Sequence, residues 1–208
     1  MKKTVALVEN PNSGKTTLFN VLTGANQTVG NWPGVTVERK ERKVKVALDI
    51  TLQDLPGVYS LTPYTPEEIV TRQYLLDEHS EMVLDILDAT NLERNLYLSL
   101  QLLELQQPLV IALNMMDALG KQKRTINLKK LAYLLDVPVI GISALKKSNL
   151  TKLITELKNT VQIPTVPIYD DRLENALAMI VEQLQDSNFK KNLRWYAIKL
   201  FEGDQKIW

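Results

Sequence analysis

The sequence predicts an α/β protein with a doubly wound, mainly parallel sheet, followed by a small α-helical subdomain. Short apolar runs alternate with longer segments of helical periodicity along most of the 208 residues. This alternation is typical of parallel strands joined by helices. The first apolar run also leads through a glycine-containing turn into a helix, and doubly wound folds bind their ligands where strands end in this way.

Each element follows from a local pattern. Short apolar runs bounded by polar or turn-forming residues predict strands at residues 5–8, 82–87, 109–113 and 138–142. Alternating apolar and charged side chains predict a half-exposed hairpin at residues 35–52. Helices are expected at residues 16–22, 67–76, 128–135 and 150–161, and another is expected to face the core with Leu92, Leu96, Leu100 and Leu103. Residues 24–34 have no periodicity and predict a mobile loop.

A change of pattern after residue 162 divides the chain. Residues 163–167 contain two prolines and predict a linker, so we expect one domain at residues 1–163 and a helical subdomain at residues 168–208. Apolar residues at helical spacing behind an Asp170/Asp171 cap predict one helix, and a second is expected at about residues 193–201. Two helices without a strand suggest that this subdomain is truncated.

Composition excludes several classes of protein. The net charge of +1 argues against a large nucleic-acid-binding surface. The absence of cysteine excludes disulfides and thiolate metal sites. No apolar run approaches the roughly 18 residues that a membrane span needs, and the N-terminal apolar run is too short for a secretory signal. We therefore expect the chain itself to be soluble and cytoplasmic.

The main chemical motif lies directly after the first predicted strand. Gly14, Lys15 and Thr16 form the second half of the pattern G-x-x-x-x-G-K-[ST], in which backbone N–H groups surround a polyphosphate at a helix N-terminus. Lys15 would neutralise the outer phosphates and the Thr16 hydroxyl would reach Mg²⁺. Glu9 stands where the first glycine of the pattern belongs, so the loop alone does not identify its ligand.

Three further motifs follow in the order that a guanine-nucleotide switch requires. Residues 54–57 match D-x-x-G, in which the carboxylate can hold Mg²⁺ through water and the glycine N–H can sense a γ-phosphate. Residues 114–117 match N-x-x-D, and a carboxylate there can accept both donors of guanine, a pair that adenine lacks. Residues 143–145, Ser-Ala-Leu, follow the next predicted strand, where a backbone N–H typically meets guanine O6. Each motif is short, and their joint order and spacing favour a guanine-nucleotide site.

Longer segments carry a family resemblance. ENPNSGKTTLFN, GNWPGVTVERK, DLPGVYSLTPYTPEE, DATNLERNLYLSLQLLE and ALNMMD resemble the cytosolic N-terminal G domain of the bacterial ferrous iron transporter FeoB, over about residues 4–145. The tail, IYDDRLENAL and RWYAIKLFEGD, resembles the helical domain that follows it in this family. The resemblance covers nearly the whole chain, and GNWPGVT is its most family-specific part.

The resemblance implies a role for each site residue. The residues implied in catalysis are Asn12, Lys15, Thr36 and Gly57. The implied ligands of Mg²⁺ are Thr16, Thr36 and Asp54. Asn12 would also hold K⁺ beside the phosphates. Without the family, Asn12 reads equally well as a turn residue of left-handed conformation. The implied nucleotide-binding residues are Asn10, Pro11, Asn12, Ser13, Gly14, Lys15, Thr16, Thr17, Gly34, Val35, Thr36, Asp54, Leu55, Pro56, Gly57, Asn114, Met115, Met116, Asp117, Ser143, Ala144 and Leu145.

Two residues depart from a general switch GTPase. Val58 follows D-x-x-G where a water-orienting glutamine often stands, so hydrolysis would be slow, although an apolar residue here is usual for the FeoB family. Glu9 departs from the family itself. If its carboxylate faces the phosphates, the repulsion at about 4 Å is on the order of 4 kcal/mol before screening; if it points away, it costs little. We weigh both orientations equally.

The expected function is a GTPase domain, dependent on Mg²⁺ and activated by K⁺, that gates or powers Fe²⁺ uptake at the cytoplasmic face of the bacterial inner membrane. Its partners would be GTP or GDP and the membrane-embedded portion of the same polypeptide, through which oligomerisation could occur, and no nucleic acid. One alternative is a nucleotide-sensing module with negligible turnover because of Val58 and Glu9. Another is a G protein acting on ribosomes or transfer RNA, which the near-neutral charge disfavours.

Overall fold

A seven-stranded sheet lies at the centre of the described part of the chain. The computed structural model describes residues 2–24, 28–32, 38–62, 64–77, 80–160, 162–185 and 191–207. Its strands are β1 Lys3–Glu9, β2 Thr28–Asn31, β3 Glu38–Val44, β4 Ala47–Asp54, β5 Met82–Asp88, β6 Leu109–Asn114 and β7 Val139–Gly141. Its helices are α1 Lys15–Thr23, α2 Pro66–Leu76, α3 Leu92–Glu104, α4 Met116–Lys121, α5 Leu128–Leu135, α6 Leu150–Lys158, α7 Asp171–Gln185 and α8 Leu193–Phe201.

The sheet is mainly parallel, as the sequence predicts. The strand order is β2-β3-β4-β1-β5-β6-β7. β1 pairs in parallel with β4 and β5, and β6 pairs in parallel with β5 and β7. β3 runs antiparallel to both β2 and β4, which confirms the predicted hairpin. The carboxyl ends of β1, β4, β5, β6 and β7 therefore meet at one edge of the sheet.

Helices cover both faces of the sheet. Successive residues of β1 point to opposite faces, so Val5 and Leu7 belong to one apolar cluster and Ala6 and Val8 to another. The first cluster includes side chains of α1 and α6, and the second includes side chains of α2, α3, α4 and α8. This arrangement confirms the doubly wound α/β fold.

One local prediction was wrong and one element was missed. Part of the predicted loop at residues 24–34 forms strand β2, which pairs with β3. The short helix α4 was not predicted. The hairpin turns at residues 45–46, where Val44 is buried and Val46 and Leu48 are exposed. Single-sequence periodicity does not locate a turn that interrupts it.

The predicted core face of α3 is confirmed except at Leu100. Leu103 is buried and Leu92 and Leu96 pack against the core, whereas Leu100 is 38% exposed. Leu98 and Leu102, which were not predicted, are buried as well. Asn95 and Ser99 lie on the buried face too, because the Ser99 hydroxyl donates to Asp85 and the Asn95 amide oxygen accepts from the backbone N–H of Asp88. The buried face of α3 therefore combines leucines with polar groups that have hydrogen-bond partners.

The two C-terminal helices form as predicted and pack on the rest of the protein. The carboxylate of Asp170 caps α7 by accepting from the backbone N–H groups of residues 172 and 173. Trp195 of α8 is 1% exposed and belongs to the apolar cluster of α2 and α3. Arg194 donates to Glu104 of α3 at 2.9 Å, and Arg72 of α2 donates to Asp204 at 2.8 Å. None of the helices in the described segments has the length and apolarity to cross a lipid bilayer.

Candidate nucleotide-binding site

The loop between β1 and α1 has a backbone that only glycine allows at one position. Gly14 has a φ of +94°, and a β-carbon added there would lie 2.4 Å from Nδ2 of Asn114. Asn12 also has a positive φ, of 72°, which agrees with its interpretation as a turn residue. This loop, residues 10–16, is called the phosphate loop below. Ser13 and Asn10 are buried in it, whereas Asn12, Thr16 and Thr17 are exposed to solvent.

Asn114 joins the phosphate loop to the two other predicted base-site segments. Its side-chain Nδ2 donates to the carbonyl of Ser13 at 2.9 Å, and its Oδ1 accepts from the backbone N–H of Ala144 at 2.9 Å. The backbone N–H of Met116 in addition donates to the carbonyl of Ile142 at 3.1 Å. The structure thus brings together three segments, of which the phosphate loop is 101 residues from Asn114 and Ala144 is 30 residues from it.

Asp117 lies at the partly exposed edge of this assembly. The Ser143 hydroxyl bonds its carboxylate and, together with the ammonium groups of Lys146 and Lys121, holds the pKa of Asp117 below its usual range. The carboxylate is therefore ionised at neutral pH and acts as a hydrogen-bond acceptor only. In the loop after β7, Ser143 is buried and Leu145 is 79% exposed.

The side chain of Lys15 is bonded within the protein. Its Nζ forms an ion pair with Oδ1 of Asp54 at 2.6 Å and also donates to the carbonyl of Leu55. Lys15 is only 5% exposed. The D-x-x-G turn is held from its other side by the Thr71 hydroxyl of α2, which donates to the carbonyl of Pro56. The phosphate loop and the D-x-x-G turn are consequently in direct contact.

The Glu9 carboxylate faces the phosphate loop. Its Oε2 accepts from the backbone N–H of Lys15 at 2.8 Å, and the residue is 7% exposed. Burial raises the pKa of Glu9 to about 7, against the opposing effect of the Lys15 charge and N–H. A β-carbon added to Gly57 would lie 3.6 Å from Oε1 of Glu9, so this carboxylate lies between the phosphate loop and the D-x-x-G turn.

Other predicted residues lie outside the site or outside the described chain. Val58 is 2% exposed in the apolar core, so its side chain does not face the phosphate loop. Trp32 packs edge-on against Tyr74, with ring centres 5.4 Å apart. The predicted site residues Gly34, Val35 and Thr36, and the solitary His79, fall outside the described residues.

Asn95 supports the site, although no sequence motif predicted it. Its Oδ1 accepts from the Ser13 hydroxyl at 2.9 Å and from the backbone N–H of Asp88 at 3.1 Å. Its Nδ2 donates to the carbonyl of Asn91. Asn95 therefore supports the phosphate loop from α3. Its place within the family-like segment DATNLERN was the signal that could have pointed to it.

Within the described segments, no three His, Cys, Asp or Glu side chains are grouped closely enough to hold a metal ion by themselves. Asp54 and Thr16 nevertheless offer a carboxylate and a hydroxyl at neighbouring positions of the site, and hard oxygen donors of this kind suit Mg²⁺. Mg²⁺ in nucleotide sites takes only one or two ligands from the protein and the rest from phosphate and water. The donor set present fits that mode of binding.

Comparison with known proteins decides the family. A family model described as "Ferrous iron transport protein B" matches residues 3–157, and one described as "FeoB cytosolic helical domain" matches residues 169–208. The chain belongs to the FeoB family. It is 42% identical to the Fe(2+) transporter FeoB of Escherichia coli K12 and 43% identical to that of Shigella flexneri. These alignments cover 98% of the chain but 27% of each relative, so the chain spans about a quarter of the length of these FeoB proteins.

Solved structures confirm the fold of this FeoB chain. A mutant of NFeoB from S. thermophilus bound to mGDP is 52% identical, with a TM-score of 0.93, and the match covers 98% of the chain and 80% of the solved one. NFeoB from S. thermophilus bound to GDP, AlF4⁻ and K⁺ is also 52% identical, with a TM-score of 0.88 and the same coverage.

We expect Asn114→Ala to destabilise the nucleotide-free protein by about 2 kcal/mol or more, because it leaves the Ser13 carbonyl and the Ala144 N–H unpaired in the interior. Urea unfolding followed by circular dichroism measures the loss. Asn159→Ala, at an exposed position, is the matched control. A loss for Asn114→Ala no greater than that of the control would mean that Asn114 does not hold the site together.

Proposed function

We propose that this chain binds and hydrolyses GTP for a ferrous iron uptake transporter, whose membrane-embedded portion belongs to the same polypeptide. The observation that carries the proposal is the meeting, around Asn114, of the phosphate loop with the segment that holds the ionised Asp117. This meeting supports a polyphosphate site beside an acceptor that would select guanine. The transporter itself is inferred from the FeoB relatives, of which the chain matches only about a quarter.

Asp117 gives the site its preference for guanine. Its ionised carboxylate accepts from N1–H and the exocyclic amino group of guanine, two donors that adenine does not offer together. Residues 143–145 are joined to Asn114 by the Ala144 N–H, and this segment would approach the base from the other side. Residues 10–17 bind the phosphates, with the N-terminus of α1 favouring their negative charge.

Mg²⁺ and K⁺ are part of the proposal. Thr16 and Asp54, together with Thr36, would hold Mg²⁺, which neutralises the charge that develops on the phosphates. Asn12 would hold K⁺ beside them, and the K⁺-bound structure of S. thermophilus NFeoB supports this assignment. Val58 is buried away from the loop and cannot orient water, so we propose that hydrolysis is slow. Lys15 and the backbone N–H of Gly57 would contact the outer phosphate and stabilise its charge.

The nucleotide state would act on the membrane portion of the transporter through the two C-terminal helices. We propose a domain boundary in the linker at residues 163–167, with the G domain at residues 1–163 and the helical subdomain at residues 168–208. A location at the cytoplasmic face of the membrane is supported by the match of residues 169–208 to the FeoB cytosolic helical domain. The proposal includes no nucleic-acid partner, and any oligomerisation would occur through the membrane portion.

A nucleotide sensor with negligible turnover is the second candidate function. The buried position of Val58 and the contact of Glu9 with the phosphate loop favour it. Single-turnover hydrolysis of GTP, with protein in excess, compared in KCl and NaCl at equal ionic strength, separates the two. We expect K⁺ to increase the rate and Asn12→Ala to abolish the increase. Absence of phosphate release in both salts would reject the enzyme and favour the sensor.

Asp117→Asn should shift the preference of the site from GTP toward xanthosine triphosphate. The amide of asparagine donates where the carboxylate accepts, so it opposes the exocyclic amino group of guanine and suits the corresponding oxygen of xanthine. Competition binding of the two triphosphates measures the shift, with Asp136→Asn, which lies away from the site, as the control. An unchanged affinity for GTP would show that Asp117 does not contact the base.

A further inference from the structure

We propose that the Glu9 carboxylate is a built-in ligand of the phosphate loop, occupying the position of a nucleotide β-phosphate, which it must leave before a diphosphate or triphosphate binds. The inference rests on the proposed function of the loop as a nucleotide site and adds its regulation. Glu9 would then weaken the binding of ligands that carry a phosphate at this position and leave the binding of other ligands unchanged.

The first step is the identity of the donor that Glu9 occupies. In a G-K-[ST] loop, successive backbone N–H groups surround the α- and β-phosphates. The N–H of Lys15, the first residue of α1, belongs to this set. It donates to Oε2 of Glu9 at 2.8 Å, inside a site where Glu9 is 7% exposed. A carboxyl oxygen therefore stands where the loop would receive an anionic phosphate oxygen.

The second step is that the same forces attract both anions. The unpaired N–H groups and the dipole at the N-terminus of α1 favour negative charge. The ammonium group of Lys15 is held nearby, bonded to Asp54 and to the carbonyl of Leu55. Both the backbone and the side chain of Lys15 are thus satisfied internally. A polyphosphate must replace the bond to Glu9 and also draw the ammonium away from Asp54.

The third step concerns what can move. The backbone of Glu9 is fixed at the end of β1, since residue 9 pairs with residue 86 of β5 and its carbonyl accepts from the backbone N–H of Val58 at 3.0 Å. Displacement must therefore come from rotation of the side chain. Because Oε1 also lies close to Gly57, that rotation changes the packing between the phosphate loop and the D-x-x-G turn.

This arrangement predicts a dependence on phosphate, separate from any dependence on the base. Guanosine binds without displacing Glu9, whereas GDP, GTP and inorganic pyrophosphate compete with it. A hydrogen bond to a charged group is strong enough to weaken a competing ligand by roughly tenfold to a hundredfold. The ratio of the affinity for GDP to the affinity for guanosine should consequently be smaller in the wild-type protein than in a variant that lacks the carboxylate.

The test measures dissociation constants by calorimetry for pyrophosphate, GDP, ADP and guanosine with wild type, Glu9→Gly and Glu9→Gln. We expect Glu9→Gly to bind pyrophosphate and GDP roughly tenfold or more tightly, with guanosine unchanged. Glu9→Gln should gain less, because its amide oxygen still accepts from the Lys15 N–H. Glu81→Gln is the matched control, since Glu81 is an exposed carboxylate that accepts from the backbone N–H of Thr4 at 2.6 Å, near the other end of β1.

A second measurement reports on the contact without any ligand. In the nucleotide-free protein, the amide resonance of Lys15 should move in Glu9→Gly and stay in place in Glu81→Gln. Equal pyrophosphate and GDP affinities in wild type and Glu9→Gly would overturn the proposal, and so would an equal gain for guanosine or an unmoved Lys15 amide. If Glu9→Gly gains affinity for pyrophosphate but prefers GDP no more than ADP, the inference stands and the proposed guanine function fails.

Discussion

The side-chain amide of Asn114 is the interaction on which the candidate site depends. It is 3% exposed, and both halves of the amide are bonded, one to the phosphate loop and one to the loop after β7. Gly14 is forced by the same contact, because any β-carbon would collide with that amide. The parallel sheet supplies the geometry: the ends of β1, β6 and β7 lie at one edge, so a single short side chain can span three loops. With this bond in place, the ionised Asp117 has a defined distance from the phosphate loop.

The phosphate loop is held in an internally satisfied state. The backbone N–H of Lys15 is bonded to Glu9, and its ammonium is bonded to Asp54 and to the carbonyl of Leu55. Buried charges of this kind are costly when unpaired, which explains why the three ionisable groups associate when no nucleotide neutralises Lys15. A nucleotide that binds must offer each of these groups a better partner. Phosphate can do so for Lys15 and Mg²⁺ can do so for Asp54, whereas Glu9 gains nothing and has to leave.

The sequence was sufficient for the fold and for the order of the motifs, because apolar periodicity and glycine-dependent turns are local properties. It predicted β1, α1, β5, β6, α2 and α8 within a few residues. It predicted only part of the buried face of α3, since Asn95 and Ser99 are buried there through partners on other elements. The sequence left the orientation of the Glu9 side chain open for the same reason. That orientation depends on a contact with the backbone N–H of Lys15, six residues further along the chain. The roles of the site residues remain predictions for experiment.

The central claim is that Glu9 and a nucleotide phosphate compete for one position. The most direct test is a crystal structure of this chain with GDP and Mg²⁺. We predict that the backbone N–H of Lys15 then donates to a β-phosphate oxygen, with Oε2 of Glu9 beyond hydrogen-bonding distance, at more than about 3.5 Å. The ammonium of Lys15 should have left the carbonyl of Leu55. A complex in which GDP is fully bound while Glu9 still accepts from the Lys15 N–H would contradict the account.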